Sequence, residues 1–153
     1  MKNEETVDVL NKLVEINNDR IEGYETASKE TDEQDLKSLF GRFAQASHKC
    51  RQELATEITS LGGTPTEGTK NTGKFFRVWM DVKAALTGKD RKAILSSCEF
   101  GEDNAIDTYE DVLQNDAEDL SANHISMITA QMVSIRADHD SVKVMRDELE
   151  VHA

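Results

Sequence analysis

This sequence has one proline and 5% aromatic residues among its 153 positions. Its Leu, Ala, Glu, Asp and Lys content then favours helices over strands. Two cysteines cannot build the disulfide framework of a small secreted protein. No apolar run is long enough to span a bilayer, and the first residues, Met1-Lys2-Asn3-Glu4-Glu5, lack the apolar core of a signal peptide. A cytoplasmic location is therefore expected. Basic residues are outnumbered, 18 Lys and Arg against 30 Asp and Glu, for a net charge of -12. Such a surface repels phosphates, so neither nucleic acid nor an anionic membrane is an expected partner. Nothing resembles a nucleophile triad, a phosphate-cradling loop or a nucleotide fingerprint.

What is present is helical periodicity. The organising stretch is Cys98 to Tyr109, the middle of a long helix expected over residues 91–115. Leu95, Cys98, Ala105, Ile106, Tyr109, Val112 and Leu113 recur at helical spacing. Glu102 lies at the centre of that apolar face, within roughly a fifth of a turn of Ile106 and Tyr109. A carboxylate there is costly unless it meets a proton, a hydrogen bond or a metal.

Three more long helices are expected. The first spans residues 3–29, with Val7, Leu10, Val14, Asn17, Ile21 and Tyr24 as its seam. The second spans 33–61, with Leu36, Phe40, Phe43, Ser47, Cys50, Leu54 and Ile58 inward, His48 flanking the core, and Thr31 to Gln34 as a capping box. The fourth spans 121–151, with Ile125, Ile128, Met132, Ile135, His139 and Val142. Residues 62–73 hold four of the eight glycines and the proline, which makes a loop. An amphipathic helix follows over 74–86, with Phe75, Trp79, Val82 and Leu86 on one face. Asp90 is placed to cap the third helix.

A 40 Å helix, roughly the length of each long segment, can be retraced by the connection between the second and third helices. Those two helices would then be parallel. The expected fold is all-α: a ferritin-like four-helix bundle with a long crossover carrying a short extra helix, in one domain of residues 1–153. Phe75, Phe76, Trp79 and Phe100 exceed what a short helix needs for docking, so a homodimer is expected. A weak internal repeat joins the halves. Asn17, Ile21 and Tyr24 have the spacing of Glu102, Ile106 and Tyr109.

Leu86-Thr87-Gly88-Lys89-Asp90-Arg91, Glu99-Phe100-Gly101-Glu102-Asp103, Asp19-Arg20-Ile21-Glu22-Gly23-Tyr24, Leu61-Gly62-Gly63 and Arg77-Val78-Trp79-Met80 resemble a family of uncharacterised bacterial proteins. Its members are described as four-helix bundles of the ferritin-like superfamily with a domain of unknown function. The resemblance extends over nearly the whole chain and implies a fold, with no established activity.

Midpoints bring Asn17, Glu102, His139 and His48 towards one central layer, with Tyr24 and Tyr109 adjoining. A di-iron site takes a Glu from each of two helices and Glu-x-x-His from the other two. Here Asn17 stands in one Glu position, and Gln45-Ala46-Ser47-His48 and Arg136-Ala137-Asp138-His139 carry the histidines without the glutamates. Three readings follow. The layer is a buried polar network fixing helix register, in which Glu102→Gln would be close to neutral. Or Glu102 and His139, with Glu99 and His48 as further ligands, hold one Zn, Fe or Mn ion. Or the site is a di-iron oxidase or ferroxidase. The first implies a non-catalytic protein with an interaction or stress-related role and an unidentified protein partner.

Overall fold

The computed structural model describes residues 2–67, 84 and 90–151, and every regular element among them is helical. In order they are α1 (Lys2–Glu30), α2 (Gln34–Ser60), α3 (Arg91–Asn115), a 3-10 turn (Ala117–Asp119) and α4 (Ala122–Val151). None is long and apolar enough to cross a membrane. The short helix expected over residues 74–86 lies outside the described residues except for helical Ala84, and so do Phe75, Phe76 and Trp79.

Local chemistry explains the boundaries. The Asp90 side chain accepts from Ala93 N at 3.2 Å and opens α3. The capping box expected at Thr31 does not form. The Thr31 hydroxyl is buried and accepts from Glu33 N at 3.3 Å, so it serves the turn, and α2 begins at Gln34 with no side-chain cap. Gly62 ends α2 with φ +84°, a conformation that favours glycine. Gly63 comes so close to α1 that an added Cβ would stand 2.7 Å from both Val7 Cγ atoms.

Helix directions follow from pairs at the bundle ends. After Gly63 the chain runs along α1: Asn11 Nδ2 donates to Thr64 O at 3.2 Å, Thr66 N donates to Asn11 Oδ1 at 2.9 Å, and Asn18 Nδ2 donates to Thr66 O at 3.2 Å. At the other end, Arg91 pairs with Glu33 and Asp35 at the start of α2. Beyond the far end of α3, Asp116 meets Lys12 of α1 at 3.2 Å. Thus α3 starts beside the start of α2 and runs antiparallel to α1.

The core is in two parts. One apolar cluster contains Leu10, Leu13, Val14, Leu54, Ile58, Ile106, Val112, Ile128 and Ile135. The other contains Tyr24, Leu36, Phe40, Phe43, Ile94, Leu95, Cys98 and Val142. Burying each large aliphatic side chain contributes about 1.5–3 kcal/mol. Between the clusters, on residues near the helix midpoints, lies a polar layer.

Candidate functional site

Arg20 is the centre of this layer. Its side chain is 1% exposed, as is that of Glu102 on α3. Arg20 Nε and Nη2 each donate to Glu102 Oε1 at 3.3 Å. Glu102 Oε2 lies 3.1 Å from Arg20 Nη2 but out of hydrogen-bond alignment. Nη2 also donates to Asp138 Oδ2 on α4 at 3.2 Å, and Nη1 donates to Asn17 Oδ1 at 3.3 Å. One cation therefore links α1 to both helices of the second hairpin.

The two tyrosines complete the layer in a reciprocal way. Tyr24 of α1 donates to Glu102 of α3, while Asn17 of α1 donates to Tyr109 Oη of α3 at 2.8 Å. Each helix thus supplies a polar residue and, seven positions later, a tyrosine, and each tyrosine meets the polar residue of the opposite helix. The faint repeat in the sequence is realised as this exchange. Tyr109 Oη donates in turn to Gln131 Oε1 of α4 at 2.7 Å, and Gln131 Nε2 donates to Cys50 O of α2 at 3.3 Å. Ser47, at the middle of α2, donates to its own helix at Phe43 O and is fully buried.

Burial shapes the titration of these groups. It works against the Arg20 charge, but Glu102, then Tyr24 and Asp138, hold the guanidinium above its ordinary range. Burial first, and Glu102 second, push both Tyr24 and Asp138 up, the latter to about 6 despite the opposing pull of Arg20. Burial likewise raises Tyr109 and Cys98, and takes the Cys50 thiol to about 11. Both cysteines are reduced and buried.

The expected site residues are separated. Glu102, Asn17, Tyr24 and Tyr109 share the layer. Of the partners expected for Glu102 from the sequence, Tyr24, Asn17 and His139, it is Tyr24 that donates to it, and the unexpected Arg20 supplies the charge expected from His139. His139 stands beside the layer, on the α3–α4 seam. Its Nε2 is 2.8 Å from Asp103 Oδ1 and 3.7 Å from Glu99 Oε1. Those three residues offer ligand atoms within 4.8 Å of one another. His48 does not join either group. Its side chain is 56% exposed and pairs with Glu25 on α1 at 2.8 Å, because its offset from the α2 seam carries it outside the bundle. Arg20, Asp103 and Asp138 occur in the sequence motifs named above, but neither they nor Gln131 are assigned a place in the site by sequence alone. Arg20 carried a usable signal: it falls three residues after Asn17 and four before Tyr24, on the same helical stripe. Asp103 follows Glu99 by four residues and shares its face in the same way.

No curated protein matches the chain. Residues 5–115 match the Domain of unknown function (DUF2383), a span that takes in α1 to α3 with Arg20, Tyr24, Glu102 and Tyr109, and the chain belongs to that family.

Proposed function

We propose that this protein is a non-catalytic ferritin-like bundle that acts through its surface, in an interaction or stress-related role, and that its central layer is a structural ion-pair network. The observation that carries this reading is the guanidinium of Arg20, buried at the position between helices where a ferritin-like protein holds its metals. The residues do not fit a metal pair. Among the described residues, the carboxylates that meet Arg20 in the layer are Glu102 and Asp138. Two divalent ions beside a fixed cation would leave several positive charges uncompensated in a low-dielectric core. A single long crossover between α2 and α3 belongs to the ferritin-like part of the reading, and the helix directions support it. The end of α2 and the start of α3 lie at opposite ends of the bundle, and residues 64–66 set out along α1. The same reading takes residues 1–153 as one cytoplasmic domain.

The test is aerobic addition of Fe(II) to protein purified without a histidine tag, following oxygen uptake and bound metal. The expected result is no accelerated oxidation and no two-metal stoichiometry. Accelerated oxidation, with two equivalents of iron that Glu102→Gln removes, would overturn it. Homodimerisation belongs to the same reading, with Phe100 of α3 49% exposed and Val133 and Val144 of α4 exposed. Light scattering that returns a monomer at micromolar concentration would refute that element alone.

A further inference from the structure

We propose that Glu99, Asp103 and His139 form a site for one divalent first-row transition-metal ion on the α3–α4 seam, distinct from the central layer. Two carboxylates four residues apart on α3 face one imidazole on α4, a set of oxygen and nitrogen donors suited to Zn(II), Mn(II) or Fe(II). Ions of this class bind such atoms at about 2.0–2.2 Å, which sets donor atoms about 3–3.5 Å apart around the metal. The spacings from His139 Nε2, 2.8 Å to Asp103 Oδ1 and 3.7 Å to Glu99 Oε1, bracket that range without an ion.

The surroundings of His139 carry the inference further. Its Nδ1 is 3.1 Å from Asp140 Oδ1, so a carboxylate holds the far side of the ring and Nε2 is the nitrogen that faces Glu99 and Asp103. This is the carboxylate–imidazole arrangement that orients a metal-binding histidine and strengthens it as a donor. A metal would bind Nε2 as the unprotonated ring nitrogen, between it and the Asp103 carboxylate now 2.8 Å away. Glu99 uses Oε2 for Arg146, which leaves Oε1 turned towards His139. Charge agrees with the geometry. Glu99, Asp103 and Asp140 set three carboxylates against Arg146, which is itself shared with Asp147. The surplus is negative and accommodates a divalent cation. Access is open, since Asp103 and His139 also line a surface groove with Phe100, Asp107, Arg136 and Asp140. Three protein ligands leave further coordination positions for water or a small anion in that groove.

This inference does not depend on the central network, because no ligand belongs to it. The test is titration of untagged, chelator-treated full-length protein with Zn(II), read by calorimetry and by NMR of the histidine rings. One equivalent should bind, and Zn(II) should shift the His139 ring signals and leave those of His48 in place. Asp103→Asn and His139→Ala should each weaken binding by about 100-fold, and Asp140→Asn by about tenfold, whereas His48→Ala should change nothing. Circular dichroism checks that each variant is folded. If a variant fails to fold, the ring signals of the unaltered protein still decide. Unmoved His139 signals at saturating Zn(II), or full binding by His139→Ala, would overturn the proposal.

Discussion

Replacing Glu102 by Gln keeps the size of the side chain and removes its charge. If the layer is a polar network alone, the sequence leads one to expect this change to be nearly silent, because an amide still hydrogen-bonds. The structure reverses the expectation. The guanidinium that faces Glu102 is 1% exposed, so the substitution leaves a buried cation short of one of its two carboxylates. Breaking a buried pair by removing one partner costs about 3–5 kcal/mol. Asp138 stays within 3.2 Å of Arg20 and its side chain is 19% exposed, so part of the compensation survives. The expected loss is therefore at the low end, about 3 kcal/mol, or a fall in Tm of roughly 6–12 °C for a domain of this size. Urea unfolding should show a lower midpoint with an unchanged slope. The double variant Arg20→Met with Glu102→Gln removes the cation along with its partner and should recover much of the loss, because apolar replacement of a buried ion pair is often neutral. A Glu102→Gln protein within about 0.5 kcal/mol of the original, or a double variant whose losses simply add, would refute this account of the layer.

Two further outcomes are expected. Gly63→Ala would set a Cβ 2.7 Å from both Val7 Cγ atoms and 3.2 Å from Ile58 Cγ2. It should cost about 1–2 kcal/mol in thermal melting, with Val7→Ala in the same chain relieving the clash, and an unchanged Tm for Gly63→Ala alone would contradict the packing. Burial pushes the Cys50 thiol to about 11 and Cys98 higher, so neither forms appreciable thiolate at neutral pH. Iodoacetamide should modify them only at the rate of unfolding, and rapid alkylation of native protein would show one of them to be exposed.

The sequence by itself determined the helices and much of their inward faces. Period-3.6 patterning needs only the next turn of the same chain, and it put the limits of α3 at Arg91 and Asn115 and those of the others within about two residues. It also marked Glu102, Asn17, Tyr24 and Tyr109 as core positions, because an apolar stripe betrays any polar residue set into it. The asparagine-tyrosine and glutamate-tyrosine spacing hinted at two related halves.

What only the tertiary structure decided is who meets whom across the helices. Arg20 is long enough to belong to either a surface or a core by sequence, and burial of its charge is favourable only because Glu102 and Asp138 arrive from two other helices. His48 and His139 looked alike as residues beside or on a seam. A modest rotation about each helix axis sends His48 out to Glu25 and sets His139 beside Glu99 and Asp103. Patterning fixes the phase of a helix to within a fraction of a turn, whereas a charged pair or a ligand set depends on distances of a few ångströms between atoms far apart in the chain. Packing settles those distances, and with them the separation of the structural ion pair from the proposed metal site.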